Sequence, residues 1–254
     1  MNTHDLPVIG ITMGDPVGIG PEIIAKALDD PELRGTCRPV IFGDHQVLER
    51  EMQSLGAAVE LQPRKTFARS ETASFPELIT VSELTKDEIV PGQPTERTSA
   101  AMAEAITEAT RCALEGELDA IVTAPINKQA LKQAGCDFPG HTEMLAHLTG
   151  TDDVVMMLAG SRLRVVLATI HCALSEVPAR LSTESIVKTT LITQAGLQRF
   201  FTPGTEPRIA IAALNPHAGE GALFGDEEQT IIVPAIEQLL SQGLNVSGPH
   251  PPDS

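Results

Sequence analysis

Three histidines in this 254-residue chain stand where side-chain chemistry can collect. His171 and His217 each follow an apolar, strand-like run, 163–171 in one case and 208–214 in the other. Two imidazoles at strand ends of one sheet can converge on a point, and neutral imidazole is the commonest nitrogen ligand of divalent metals. Two are an incomplete shell, because a catalytic metal normally takes three protein ligands, and two unrelated loop histidines are the alternative. His4 and His45 are remote, His147 reads as a helix-face residue, and His250 sits in the terminal G-P-H-P-P-D-S. The third histidine, His141, opens H-T-E after Pro139-Gly140. His141 and Thr142 offer an imidazole and a hydroxyl at a helix start, where unpaired backbone N–H groups favour an anion. Thr142 as a plain N-cap is the alternative. Lys128, in T-A-P-I-N-K, ends a buried strand at the edge where ligands of open α/β sheets collect. It could neutralise a phosphate or carboxylate, or be a solvated lysine at a helix start. The turn G-D-P-V-G-I-G-P-E (14–22) could present N–H groups to an anion. It lacks the dinucleotide spacing G-x-G-x-x-G, and Pro16 removes a donor, so a structural turn is the favoured reading.

These residues are positioned by β-rich runs that alternate with longer helical patterns. Strands are expected over 7–13, 39–43, 78–81, 119–124, 154–158, 163–171 and 207–214. Helices are expected over 21–28, 46–55, 95–114, 128–134, 142–148, 183–200 and 227–242. Met102, Ala105, Ile106, Ala109 and Ala113 recur at three- and four-residue spacing, the mark of an amphipathic helix. Runs such as 120–122 and 165–168 are apolar throughout, which suits strands covered on both faces by helices. The class is α/β. Pro21 suits a first helical position, Gly116 ends the long helix, and Ser182 and Thr183 are candidate N-caps. With no repeat and no low-complexity linker, 1–254 reads as one continuous α/β unit.

The chain carries 34 acidic and 18 basic side chains, a net charge of −16. That average field argues against nucleic acid or an anionic membrane as partner, while a small anionic ligand feels only local donors. With seven Phe and neither Trp nor Tyr, the core must be aliphatic and base-stacking platforms are absent. Cys37, Cys112, Cys136 and Cys172 show no paired spacing, so free thiols in a reducing cytoplasm are expected. No apolar run approaches the roughly 20 residues that span a bilayer.

Taken in order, G-D-P-V-G-I-G-P-E, T-A-P-I-N-K, P-G-H-T-E, His171 and L-N-P-H-A-G-E-G resemble the 4-hydroxythreonine-4-phosphate dehydrogenase family of vitamin B6 biosynthesis. The resemblance runs from Gly10 to the last residue, and its last two motifs are the specific ones. It implies a two-domain isocitrate/isopropylmalate-dehydrogenase-like fold and a cytoplasmic homodimer with active sites at the subunit interface. The implied cofactors are NAD or NADP and a divalent metal, zinc, magnesium or cobalt. The implied substrate is a small phosphorylated hydroxy acid, oxidised at C3 and then decarboxylated to 3-amino-2-oxopropyl phosphate. By position His171 and His217 resemble two of the family's three metal histidines, and His141 and Thr142 its substrate-binding residues. Asp253, in P-P-D-S, matches an acidic catalytic residue near the metal. The family's chain continues past this point, through an H-D-Q-G segment bearing the third histidine and much of the nucleotide site. The 254-residue chain by itself is therefore expected to bind metal weakly and to lack dehydrogenase activity. Two other functions fit: oxidation of 4-phospho-D-threonate or 4-phospho-D-erythronate, which the G-P-x-P-P-D ending resembles rather better, and an inactive metal- or phosphate-binding fragment.

Overall fold

Strand β1 (Val8–Thr12) begins a βα succession that fills the first of two compact units, Met1–Asp152 and Asp153–Ser254. The computed structural model describes residues 6–69 and 76–253; His4 and Ser254 lie outside them. After β1 come α1 (Gly20–Asp29), α2 (Pro31–Thr36), β2 (Arg38–Asp44), α3 (His45–Leu55), β3 (Gln62–Arg64) and β4 (Glu77–Ser82). The long α4 (Glu96–Leu114), β5 (Ala120–Thr123), α5 (Lys128–Gln133) and α6 (His141–Thr149) complete the unit. The five strands are all parallel, in the order β3-β4-β2-β1-β5.

Side-chain alternation along a strand sends neighbours to opposite faces, and here each face finds helices. Ile41 and Leu78 join Ile24 and Leu28 of α1 and Val47 and Leu48 of α3 in one core cluster. Val40, Phe42 and Ile79 join Ala105, Ala109 and Cys112 of α4 in another. The spacing that marked α4 as amphipathic is the face it buries. Its N-terminus is fixed by a capping box between Thr95 and Thr98. Coverage is thinner at β5, the edge strand of the described sheet, where Val122 is 53% exposed.

The second unit is assembled from smaller pieces. β6 (Met157–Ala159) and β7 (Arg164–Val166) form an antiparallel pair, followed by the single turn α7 (Val177–Arg180). Then come α8 (Thr183–Phe200), β8 (Ile209–Ala212), α9 (Val233–Ser241) and β9 (Val246–His250), with β8 and β9 parallel. Ser182 is the N-cap of α8 and closes a box with Ser185. Ile186, Ile232, Ile236 and Leu239 anchor the unit's core. The strand expected over 163–171 is only three residues long and does not carry its apolar run inward. Val165 is 40% exposed, and His171 lies in a loop beyond it. The helix expected over 227–242 opens as a wide turn, Glu228–Ile232, before α9. Pro234, which has no N–H for a regular ladder, accounts for the change of winding. The four thiols are free, and burial pushes that of Cys112 up to about 11. Among the described residues no helix is long and apolar enough to cross a membrane.

Candidate substrate and metal sites

The first candidate site, in the first unit, lies where T-A-P-I-N-K and P-G-H-T-E meet. Asn127 caps α5 by accepting the N–H of Ala130, which sets Lys128 at the first position of that helix. Gly140 is the N-cap of α6, so His141 and Thr142 are its first two residues and Thr142 is no cap. A Cβ on Gly140 would stand 3.8 Å from Lys128 Nζ, which shows how closely the ammonium approaches this helix start. Among the described residues no ion pair engages Lys128. His141 Nε2 is buried and has no hydrogen-bond partner. Burial, and then the Lys128 charge, push the His141 imidazole below its ordinary titration range. A neutral imidazole, an ammonium, a hydroxyl and unpaired helix N–H groups together suit an oxyanion.

Two consequences follow for pH. Because the folded-state value lies below the unfolded one, His141 favours folding above the ordinary histidine range. That contribution is lost as pH falls through the folded-state value. In Lys128→Met the imidazole should titrate higher than in the parent, yet still below an exposed histidine, since burial is the larger cause. An NMR titration of His141 measures this, and an unmoved midpoint would deny the contact.

The second unit holds the other candidates. His217 lies in L-N-P-H-A-G-E-G (214–221), just after β8. Its Nδ1 stands 2.7 Å from Asp253 Oδ2, and its backbone N–H donates to Oδ1 of the same carboxylate at 3.2 Å. One carboxylate thus holds both backbone and ring. With the ring proton on Nδ1 toward Asp253, the lone pair of the neutral imidazole is on Nε2. This carboxylate–imidazole arrangement is the one that orients metal-ligating histidines. In that respect His217 fits a metal. His171 and His217 share a left-handed backbone, φ 53° in each, rare for a residue with a Cβ and typical of functional turns. His171 follows β7 and His217 follows β8, strands of two different sheets rather than of one, and among the described residues no group of three His, Cys, Asp or Glu is assembled to hold a metal.

No residue pattern pointed to Glu228, which follows Asp226-Glu227. The side chain is 3% exposed and accepts the N–H groups of Leu214 at 2.9 Å and Asn215 at 2.7 Å, with Asn215 Nδ2 at 3.0 Å. Burial alone would raise its pKa, but these hydrogen bonds outweigh it and hold the carboxyl below its ordinary range. The available signal was an acidic residue next to an apolar helical pattern, a position that calls for buried partners. The glycine turn is in part internally bonded, which accords with the structural reading. Asp15 Oδ1 accepts the N–H of Val17, and Gly18 N–H donates to the Asp15 carbonyl. Asp15 N–H reaches the Pro125 carbonyl, and a Cβ on Gly14 would collide there. The N–H groups of Asp15, Val17 and Gly18 are thus spent on the turn itself and on T-A-P-I-N-K.

Comparison with known proteins gives a consistent set of relatives. The family model described as "Pyridoxal phosphate biosynthetic protein PdxA" matches residues 35–254. A 4-hydroxythreonine-4-phosphate dehydrogenase of Desulforapulum autotrophicum is 48% identical over 254 residues, covering 99% of this chain and 74% of that protein. A D-threonate 4-phosphate dehydrogenase of Cupriavidus necator is 41% identical over 258 residues, covering 98% and 74%. Among solved structures, the 4-hydroxythreonine-4-phosphate dehydrogenase of Klebsiella pneumoniae superposes with a TM-score of 0.89 at 39% identity, covering 98% of this chain and 75% of that one. The α/β fold is of the isocitrate/isopropylmalate-dehydrogenase type.

Proposed function

Because the chain belongs to the PdxA family of dehydrogenases, we propose that it oxidises 4-phosphooxy-L-threonine at C3 as a step of pyridoxal 5'-phosphate formation. The observation that carries the reading is the held imidazole of His217, which joins the family's motifs to an oriented donor atom. The net change is oxidation of the C3 hydroxyl to a ketone, for which NAD or NADP would supply the hydride acceptor, and loss of carbon dioxide from the β-keto acid to give 3-amino-2-oxopropyl phosphate. A divalent metal, when bound, supplies Lewis acidity toward the C3 oxygen. His171 and His217 are the residues that would hold it, with Asp253 keeping the His217 ring in the ligating tautomer. His141, Thr142 and Lys128 are the residues that would hold an anionic group of the substrate. No residue of the glycine turn is assigned to the dinucleotide.

The two compact units correspond, on this reading, to parts of the two domains of a homodimeric cytoplasmic enzyme. Its active sites lie at the subunit interface. Relatives named for D-threonate 4-phosphate make the phosphorylated sugar acids the relevant competitors. Parallel turnover assays decide the matter: 4-phosphooxy-L-threonine, 4-phospho-D-threonate and 4-phospho-D-erythronate, each with NAD and NADP and with zinc, magnesium or cobalt. The expected result is a preference for phosphothreonine in kcat/KM. Faster turnover of either sugar acid would replace the assignment, and metal binding without any turnover would favour a binding role.

A further inference from the structure

The loop that carries His217 has a backbone that its own residues do not favour. His217, Ala218, Glu220 and Ala222 all have positive φ, at 53°, 55°, 40° and 75°. Each such non-glycine residue is strained, and a run of them persists only where the surroundings over-determine it. Much of the fixing traces to one buried carboxylate. On the N-terminal side of His217, Glu228 Oε1 takes both backbone N–H groups of Leu214 and Asn215, and Oε2 shares the Asn215 amide with Glu227 Oε2. On the C-terminal side, Gly219 packs so closely that an added Cβ would stand 2.7 Å from Glu228 Oε2. The carboxylate therefore clamps the loop on both flanks of the histidine, five residues apart in sequence at its outer contacts, 214 and 219.

We propose that Glu228 is a positioning residue for His217: it sets the strained 214–222 loop so that the ring meets Asp253 and points Nε2 outward as a donor. The consequence for metal binding rests on the assignment of His217 as a ligand; the consequence for ring position does not.

The test uses the folded chain with Co2+ as the probe. Glu228→Gln keeps the shape but replaces an oxygen that accepts hydrogen bonds with a donor. Gly219→Ala pushes on the clamp from the other side. Gly243→Ala is the control, because its φ of 85° imposes a similar backbone penalty where a Cβ meets nothing within 4 Å. Expected are a Co2+ dissociation constant raised at least about tenfold in the first two variants, the scale of losing an outer partner of a metal ligand, and an unchanged one in the control. In the metal-free protein the His217 Nδ1–H resonance should lose its hydrogen-bonded position in the same two variants. If Glu228→Gln does not fold, Gly219→Ala against Gly243→Ala decides. Parent-like Co2+ affinity together with a parent-like His217 ring resonance in Gly219→Ala would overturn the proposal. His217→Ala separates the two readings: unaltered Co2+ affinity there removes the ligand assignment, while the ring resonance still reports whether Glu228 positions the loop.

Discussion

Replacing His171 or His217 by alanine should cost more metal affinity than the roughly 10–100-fold that follows loss of an outer-shell partner. In an active dehydrogenase carrying this segment, turnover should fall by about 10³-fold, because a Lewis acid is worth several kcal/mol of transition-state stabilisation. The reason lies in how few donors the chain offers. Among the described residues no group of three His, Cys, Asp or Glu is assembled, so on the proposed reading neither imidazole has a substitute. Asp253→Asn should show a smaller loss. An asparagine can still accept the backbone N–H of His217 but no longer offers a charged partner to the ring at 2.7 Å. Isothermal titration with Co2+ or Zn2+, paired with turnover, separates the three variants. Parent-like affinity in His217→Ala would show that the held ring serves some other purpose. The KM for the dinucleotide should stay unchanged in all three.

Asp44→Ala should destabilise the first unit by about 3 kcal/mol or roughly a hundredfold in the folding equilibrium, on the scale of truncating a buried core side chain. The carboxylate is 1% exposed and every contact it makes is a donor. Oδ1 caps α3 by accepting from Gln46 and Val47, while Oδ2 accepts from Ser82 Oγ and the Leu84 N–H, both at 2.8 Å. Alanine would leave these donors buried and unmet at the end of β2, where the chain turns into α3. Asp44→Asn, which can accept with one oxygen only, should lie between. Urea unfolding measures both, and a loss under 1 kcal/mol for alanine would mean that water replaces the side chain. Melting should fall by roughly 6–12 °C, on the scale of a few degrees per kcal/mol for a protein of this size.

The elements carrying strong periodicity were legible in advance. α4 shows its buried face in Met102, Ala105, Ile106 and Ala109, and Ser182 announced the start of α8 through its capping box. The parallel strands β1, β2 and β4 were readable because both of their faces are covered, which makes them apolar throughout. β3, α2 and β9 were not expected. Gln62–Arg64 is too short and polar to show a period, and Val246–His250 contains Gly248 and Pro249, which read as a turn. The run 163–171 misled for the opposite reason. It is apolar enough for a buried strand, but Leu163 is 69% exposed and only Arg164–Val166 pairs.

His141, Thr142, His171, His217 and Asp253 could be picked out from the sequence because their residue types carry chemistry and their motifs are specific. The α/β class was also readable from sequence, since periodicity is a sum over local residues. Tertiary structure alone decided which of these groups meet. It put Lys128 beside His141, turned Asp15 inward to serve its own loop, and joined His217 to a carboxylate 36 residues away. It also gave Glu228 a role that residue type and spacing do not show. A buried acid next to apolar neighbours is readable as an anomaly, but its partners come from a loop 13 residues earlier. Such partners are brought within hydrogen-bond reach only when the chain folds back on itself, and no local pattern encodes that distance.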